Sequence, residues 1–424
     1  MHDAKLIRER LDDLREAMRR RGALDALAPL LDRGEELDRQ RRHLIQTVEE
    51  RKAARNASSQ EVARRRKTGE DASDLIAQGR ALGEESARLE LALAGVEREY
   101  EGILMEIPNI TLVDVPAGDE DHNVVVREWG TPRSADGVRP HWEIAAAQGL
   151  FDLERGAKVS GSGFIVYRRK GARLVRALMN YFVDRHVDHH GYEEVWAPAL
   201  VNRASMTGTG QLPKFEDDAY KIAGDDLFLI PTAEVPVTNL YRDEILDVGM
   251  LPMGFCAYTP CFRREAGSAG KDTRGIQRVH QFDKVELVRY AAPDDSEAQL
   301  AALLGHAEAV LQGLGLPYRV KLLAAGDTGF SSAKTYDIEV WAPGVGTWLE
   351  VSSCSSFTDF QARRANIRYR PAAGEKPRFV HTLNGSGLAF PRIIATILEH
   401  YQQADGSVLV PEVLRPYVGT DRLA

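Results

Sequence analysis

Apolar residues recur at seven-residue intervals through the first hundred positions, in a background rich in Ala, Arg and Glu. This spacing predicts two long helices, at about 30–67 and 72–106, that follow a short helix at about 4–21. A turn signal at 68–71 joins them, so we expect an antiparallel coiled-coil hairpin. The seam positions are Leu30, Leu37, Leu44 and Val48 in the first helix, and Leu75, Leu82, Leu89, Leu93, Val96, Tyr100 and Ile103 in the second.

From residue 110 onward the pattern changes to short β-branched and aromatic runs separated by turn signals. Residues 110–170 are predicted to be short strands and loops around Trp129 and Trp142. Strands that follow one another favour an antiparallel sheet with flanking helices over regular βαβ alternation. The sequence therefore predicts an α+β protein. The remaining predicted strands are 192–198, 227–230, 255–259, 279–288, 318–323, 335–341 and 347–351, and the predicted helices are 172–190, 296–314 and 391–401.

Length and composition exclude several classes of protein. The chain has 424 residues, enough for two or three domains, and its 43% hydrophobic and 28% charged residues exclude a disordered or fibrous chain. A formal net charge of −8 excludes a uniformly basic surface. No apolar run reaches the roughly 20 residues of a membrane span, and the N-terminus lacks the apolar core of a signal peptide. We expect a soluble protein with an arm at 1–109 and a body at 110–424.

The three cysteines, Cys256, Cys261 and Cys354, form neither a disulfide framework nor a CxxC pair. We therefore expect a reducing compartment and no structural zinc.

The two limbs of the predicted hairpin differ in charge. Residues 1–67 hold 18 Lys and Arg against 13 Asp and Glu, whereas residues 68–107 hold 3 against 10. The basic residues cluster at 19–21, 39–42, 51–55 and 64–67. A run of this kind is usually a solvated helix face, but it is also what a polyanion-binding limb requires. The segment alone leaves both readings open.

Chemically suggestive residues gather in four segments of the body. In segment 261–286, Arg263 and Glu265 are expected to share one strand face, as are Phe282, Lys284 and Glu286, because strand side chains alternate. Segment 384–392 is interpreted as a Gly-rich turn into a helix that has Arg392 at its start. The other two segments are 232–234 and 350–355.

Each segment by itself has a structural alternative. An isolated Arg-x-Glu is usually a cross-strand ion pair, and any tight strand-to-helix turn can look like segment 384–392. The chain contains neither a GxxxxGK[ST] loop nor a strand-GxGxxG-helix signature.

Together, the segments resemble the three signature motifs of class II aminoacyl-tRNA synthetases and, more closely, bacterial seryl-tRNA synthetases. The helix and strand that end at Pro198 resemble motif 1, residues 262–286 resemble motif 2 and residues 385–392 resemble motif 3. The chain departs from the general class pattern at Ala389, which replaces a glycine, and at Phe390-Pro391. Seryl-specific similarity extends over 208–215, 232–234, 330–337 and 381–387, and the hairpin resembles the tRNA-binding arm of that family.

The resemblance implies that the body activates L-serine with ATP and that the seryl group then passes to tRNA(Ser), with tRNA(Sec) as a second acceptor. It implies a cytoplasmic homodimer, with no membrane partner, that binds tRNA across its subunits. Mg²⁺ would be held with ATP by Glu350 and Ser353. The catalytic residues implied are Arg263, Glu350 and Arg392.

The same resemblance implies two sets of binding residues in the body. The serine site would contain Thr232, Ala233, Glu234, Glu286 and Ser386. The ATP site would contain Arg263, Arg264, Glu265, Phe282, Glu350, Val351, Ser352, Ser353 and Arg392.

On the arm, the tRNA contacts implied are Arg39, Arg41, Arg42, Arg51, Lys52 and Arg55. Two alternatives stay open at this point: Glu350 as the partner of an arginine and Glu234 as a structural carboxylate. His280, two residues before Phe282, is interpreted as a residue that packs at or supports the site rather than as a catalytic base. Two rival functions also stay open. One is the loading of an amino acid onto a carrier by a relative of the family that lacks the arm, and the other is RNA binding without catalysis.

Overall fold

The computed structural model describes residues 1–266 and 274–423, so the middle of the motif 2 segment, 267–273, lies outside the described residues. Within the described residues no helix is long and apolar enough to cross a membrane. The α-helices are α1 Lys5–Glu9, α2 Leu11–Arg20, α3 Leu24–Thr68, α4 Ser73–Glu106, α5 His141–Gln148, α6 Leu153–Ser160, α7 Arg169–His190, α8 Arg203–Gly208, α9 Glu234–Thr238, α10 Ser296–Leu314, α11 Phe360–Ala365, α12 Phe390–His400 and α13 Arg415–Val418.

The strands are mostly longer in the body's central sheet than at its margins. They are β1 Val124–Trp129, β2 Phe151–Asp152, β3 Val166–Tyr167, β4 Glu193–Glu194, β5 Leu200–Asn202, β6 Leu227–Leu229, β7 Ile245–Asp247, β8 Met253–Phe262, β9 Gln281–Ala291, β10 Tyr318–Leu322, β11 Lys334–Ala342, β12 Thr347–Ser356, β13 Arg368–Arg370, β14 Arg378–Phe379, β15 His381–Ala389, β16 Val408–Leu409 and β17 Arg422–Leu423.

The chain divides into two compact units, one formed by 2–107 and the other by Met1 with 108–424. The first unit contains the predicted hairpin. Its first long helix starts at Leu24, six residues before the prediction, and continues through Pro29. Pro29 lacks an N–H to donate to the preceding turn. Gly69, with φ +75°, ends this helix in the left-handed conformation that glycine adopts without strain.

The predicted seam of the hairpin is where its two helices pack. Leu37 and Val48 of α3 are buried, as are Tyr100 and Ile103 of α4, and the remaining predicted seam residues are half-buried. The Tyr100 hydroxyl also donates a hydrogen bond to the Ala4 carbonyl, 2.7 Å away. Burial of the heptad positions therefore joins the long helices, while Tyr100 attaches the short N-terminal helix.

The body is built on an eight-stranded sheet in the order β1-β10-β11-β12-β15-β9-β8-β4. Its neighbours are antiparallel except for the edge pair β4 and β8. One face of the sheet packs against α7, α10 and α12, and part of the other packs against α9 and α11. On β9, Val285 and Leu287 face the first layer whereas Val288 and Tyr290 face the second. The predicted α+β class, with an antiparallel sheet and flanking helices, is confirmed.

The predictions for segments 110–170 and 192–198 are partly wrong. Trp142 lies in α5 rather than in a strand or loop, because segment 141–148 buries His141, Ile144 and Ala145 along one helical face. In the segment 192–198, only Glu193–Glu194 pairs as a strand. Pro198, at the end of this segment, has no N–H to donate to a sheet ladder.

Candidate active site

A cavity of about 790 Å³ opens beside the ends of β8, β9, β12 and β15. It brings together residues that are more than 150 positions apart in the chain. Eleven of the sequence-predicted residues line it: Thr232, Glu234, Arg263, Glu265, Phe282, Glu286, Glu350, Val351, Ser353, Ser386 and Arg392.

Three sequence-predicted residues do not line this cavity. Ala233 is buried in the packing layer beneath the sheet. The Arg264 side chain is exposed, and its backbone N–H donates to the Asp218 carbonyl at 3.2 Å. Ser352 is buried, and its hydroxyl donates to the Ser386 carbonyl at 2.7 Å. Ser352 thus holds the backbone of the cavity residue Ser386 without lining the cavity itself.

Arg263 and Glu265 do not share a strand face, contrary to the prediction. β8 ends at Phe262, and Glu265 adopts a positive φ of 52°, so the chain has already turned. The turn aims Glu265 at Arg278, whose guanidinium pairs with its carboxylate at 3.0 Å. The Arg263 guanidinium lies over the ring of Phe282, 5.2 Å from its centroid. A phosphate held by Arg263 and a base stacked on Phe282 would therefore be neighbours.

Phe282, Lys284 and Glu286 do share one face of β9, as predicted, and all three line the cavity. The Lys284 ammonium is almost fully buried between the Glu286 carboxylate and the Thr232 hydroxyl. The other oxygen of Glu286 accepts from the Asn384 amide at 2.9 Å. Both oxygens of Glu286 therefore face a cation or donor before any substrate arrives.

The partners of the Thr232 hydroxyl fix which of its hydrogen bonds it accepts and which it can donate. Its oxygen accepts from the Lys284 ammonium at 2.8 Å and from the backbone N–H of Glu234 at 3.2 Å. A hydroxyl oxygen has two lone pairs, so its own hydrogen is left to donate. Thr232 therefore offers a hydrogen-bond donor to the cavity, which suits an oxygen of the substrate.

Glu234 is buried and carries a perturbed carboxyl group. Burial, and secondarily the nearby Glu286 carboxylate, raises the pKa of Glu234 to about 7. Its Oε1 accepts from the Gln361 amide at 2.6 Å, and the oxygen of that amide accepts from the Thr382 hydroxyl at 2.7 Å. This orientation leaves the second oxygen of Glu234 to meet a ligand.

The Gly-rich segment 384–392 is a strand rather than the predicted turn. Residues 381–389 form β15 in the middle of the sheet, and α12 begins directly at Phe390. The glycines permit close packing: a Cβ on Gly385 would lie 2.8 Å from the Cys354 sulfur, and one on Gly387 would lie 2.5 Å from the His186 ring. Arg392 does stand in the first turn of the helix, as predicted.

Arg392 contacts two other segments of the site. Its Nη1 donates to the Glu350 carbonyl at 2.6 Å and lies 3.6 Å from the Glu350 carboxylate, while its Nε donates to the Gln277 carbonyl at 3.3 Å. Glu350 is therefore the partner of an arginine, the alternative left open by the sequence. This contact does not prevent Glu350 from binding a cation, because a carboxylate has two oxygens.

The surroundings of Glu350 and Ser353 fit a divalent cation. Asp337 on β11 lies opposite Ser353 on β12, and its buried Oδ1 has no hydrogen-bond partner among the described residues. Burial, followed by the charge of Glu350, raises the pKa of the Asp337 carboxyl well above its ordinary value. The Glu350 carboxylate and the Ser353 hydroxyl line the cavity, and both are oxygen donors of the kind that Mg²⁺ prefers. Among the described residues there is no cluster of three or more His, Cys, Asp or Glu able to hold a metal by itself.

The three cysteines are all buried and unbonded to one another. Burial raises the pKa of Cys256 and of Cys354 to about 12, and it raises that of Cys261 as well. Their thiols therefore stay protonated, which disfavours metal ligation. The His280 ring packs against Phe164 at an angle of 37°, with 5.4 Å between centroids, and its Nδ1 lies 3.0 Å from the carbonyl oxygen of Arg263.

Four of the six sequence-predicted tRNA contacts on the arm form ion pairs within it. Three of the pairs cross from α3 to α4: Arg41–Glu97 at 3.0 Å, Arg51–Glu85 at 3.0 Å and Lys52–Glu90 at 2.7 Å. Arg42 pairs with the buried Asp38 of its own helix at 2.9 Å. Among the described residues of the arm, Arg39 and Arg55 are exposed and enter no such pair.

Comparisons with known proteins cover both units. Residues 1–111 match the seryl-tRNA synthetase N-terminal domain, and residues 214–401 match the tRNA synthetase class II core domain (G, H, P, S and T). The serine–tRNA ligase of Gemmatimonas aurantiaca is 66% identical over 100% of both chains, and that of Geobacillus kaustophilus is 56% identical over 99% of both. The chain belongs to the seryl-tRNA synthetase family.

The fold agrees with this membership. A crystal structure of seryl-tRNA synthetase from Pyrococcus horikoshii, complexed with ATP, superimposes with a TM-score of 0.95 at 38% identity, over 100% of this chain and 99% of that one. The resemblance inferred from the sequence is confirmed. The synthetase fold thus accounts for the arm and the body alike.

Sequence reasoning gave no role to several residues at the synthetase site. Lys284 was placed on the correct strand face, and its position between Phe282 and Glu286 was the available signal. Asn384 and Asp337 lie inside segments that resemble the family, but the groups that they approach come from other strands. Gln361, which orients Glu234, lies in α11 outside those segments, so no local pattern pointed to it.

Proposed function

We propose that this chain is a serine–tRNA ligase, an ATP-dependent enzyme. It joins the L-serine carboxylate to the α-phosphate of ATP, with release of pyrophosphate, and then transfers the seryl group to the 3′-terminal adenosine of tRNA(Ser). The observation that carries the proposal is a single cavity lined by the residues predicted to bind serine and by those predicted to bind ATP. The chain that forms it is similar over its whole length to serine–tRNA ligases.

The serine end of the cavity is formed by Thr232, Glu234, Glu286 and Ser386. Lys284 is paired with Glu286, and the carboxylate of Glu234, when it is ionised, adds a negative charge that attracts the ammonium of serine. The hydroxyl of Thr232 donates to a substrate oxygen. A site built to bond a small hydroxyl discriminates against alanine, because its own polar groups would be left unpaired.

The ATP end is formed by Arg263, Glu265, Phe282 and Arg392. Arg263 would hold the α-phosphate, where negative charge builds up as the serine carboxylate attacks, and Arg392 would hold the far phosphates. Phe282 would stack on adenine, and the Glu265 carboxylate would accept from its amino group. Glu350 and Ser353, with Asp337 behind them, would hold Mg²⁺, which neutralises phosphate charge when it is bound.

The arm would bind tRNA, with Arg39 and Arg55 as the cations most available for phosphate contacts. By family resemblance the protein would work as a cytoplasmic homodimer, with one tRNA bound across the two subunits, and tRNA(Sec) would be a second acceptor.

The test is serine-dependent ATP–pyrophosphate exchange, followed by ester formation with added tRNA. Alanine, threonine and cysteine serve as competing amino acids. Exchange with serine and transfer to tRNA(Ser) are expected. Exchange without transfer to any serine tRNA would favour carrier loading, and a folded protein with no exchange would favour RNA binding without catalysis.

A further inference from the structure

A fully buried carboxylate–imidazole pair lies outside the residues assigned to substrates. Glu399 on α12 and His141 at the start of α5 both have zero exposure. The Glu399 Oε1 accepts from the His141 Nδ1 at 2.7 Å and from the His141 backbone N–H at 3.0 Å, while its Oε2 accepts from the Gly344 N–H at 2.8 Å. Three donors on one carboxylate compensate for its removal from water.

The far side of the imidazole holds the backbone of segment 274–279. The Ile276 N–H donates to the His141 Nε2 at 3.3 Å. Because Nε2 accepts a hydrogen bond, the ring proton must be on Nδ1, where it faces Glu399. The pair is therefore a neutral imidazole oriented by a carboxylate. The orientation makes His141 an acceptor for a backbone group of another segment.

The same helix holds the next residue of that segment. Arg392 and Glu399 are seven apart on α12, so they lie on one face, two turns from each other. Arg392 binds the Gln277 carbonyl directly, and Glu399 acts on the Ile276 N–H through His141. One helix face thus fixes two successive residues of segment 274–279.

This segment forms part of the proposed nucleotide site. Gln277, Arg278 and Val279 line the cavity, and Arg278 pairs with Glu265 at 3.0 Å. At the start of the segment, Gly275 has φ +73°, and a Cβ there would lie 2.9 Å from the Trp142 ring. The backbone therefore approaches α5 more closely than a side chain would allow.

We propose that the Glu399–His141 pair is a positioning device that fixes segment 274–279 against bound ATP. The inference rests on the proposed function, since it assigns His141 and Glu399 to the ATP half of that site. Loss of the acceptor on His141 frees the Ile276 N–H and loosens the segment that carries Arg278. The KM for ATP should therefore increase more than the KM for serine, because other residues form the serine pocket.

The experiment compares three variants in the full-length protein. His141→Phe keeps the ring volume and removes both nitrogens, whereas His141→Gln keeps an acceptor within reach of Ile276. The matched control is His400→Phe: His400 is the next residue on the helix, and its Nε2 lies 2.8 Å from the Trp341 carbonyl, away from segment 274–279. Melting temperature, amide hydrogen exchange and the KM values for ATP and serine are measured for each.

His141→Phe removes both the donor to Glu399 and the acceptor for Ile276. Loss of the hydrogen bond to Ile276 should raise the KM for ATP by about fivefold to tenfold, with the KM for serine changed less than about twofold. Exchange at Ile276 should accelerate while exchange in β11 stays unchanged. His141→Gln should recover most of the ATP effect, and His400→Phe should show none.

Equal increases in both KM values, or Ile276 exchange no faster than in the control, would overturn the inference. If His141→Phe does not fold, His141→Asn takes its place, because its shorter amide does not reach the Ile276 N–H. Faster exchange at Ile276 in His141→Asn than in His141→Gln supports the inference, and equal exchange in the two variants contradicts it. The exchange measurement needs no activity, so it separates failure of this inference from failure of the proposed function.

Discussion

The perturbed carboxyl of Glu234 makes the capture of serine depend on pH. Burial raises its pKa to about 7, so it is largely protonated below neutrality and ionised above it. A substrate ammonium is attracted by the ionised form. At pH 6, one unit below that pKa, only about one tenth of the carboxyl is ionised, so kcat/KM for serine should fall about tenfold between pH 8 and pH 6.

The matching perturbation is Glu234→Gln, which keeps the size of the side chain and removes its titration. Its kcat/KM for serine should be lower by about tenfold to a hundredfold at pH 8, the value of a charge-assisted hydrogen bond. The tenfold difference in kcat/KM for serine between pH 8 and pH 6 should be absent in the variant. The assay is serine-dependent ATP–pyrophosphate exchange at saturating ATP across this range. A variant that keeps the wild-type pH profile would refute the assignment to Glu234.

Four further predictions concern Arg392, the core of the sheet and, in two cases, the arm. Arg392→Lys should lower exchange activity by at least about tenfold with little change in melting temperature, because an ammonium cannot reproduce a guanidinium fork. Gly387→Ala should destabilise the body by about 1–3 kcal/mol in chemical denaturation, since its Cβ would meet the His186 ring, and an unchanged midpoint would contradict this packing. Arg39→Ala should weaken tRNA binding and make its salt dependence shallower by about one unit, whereas Arg51→Glu should loosen the hairpin by less than about 1 kcal/mol and be rescued by Glu85→Arg.

The elements with a strong period were predictable from the sequence. The heptad spacing located both long helices of the arm, and the helix predicted at 296–314 coincides with α10. The seam residues were sufficient to predict both helices, because each long helix packs mainly on the helix next to it in the sequence. The same holds for β9, where a period of two placed Phe282, Lys284 and Glu286 on one face.

The predictions that failed depend on partners distant in the chain. Segment 384–389 looks like a turn because glycines usually serve turns, yet β9 and β12 flank it and need its backbone close. Glu265 was assigned to a strand because nothing local reveals its positive φ. The contact of Arg392 with Glu350, which the sequence left open as an alternative, joins residues 42 positions apart and depends on the helix that follows the central strand β15.

The unequal charges of the two limbs have an explanation that differs from both interpretations made from the sequence, a solvated helix face and a polyanion-binding limb. The basic first limb and the acidic second limb face each other, and pairs such as Arg51–Glu85 and Lys52–Glu90 join them. Each exposed pair adds little stability, but like charges in the same places would repel and disfavour the hairpin register. Pairing also reduces the positive charge available to an RNA. The tRNA affinity of the arm should therefore depend on its few unpaired cations, Arg39 and Arg55 among them, rather than on the length of its basic runs.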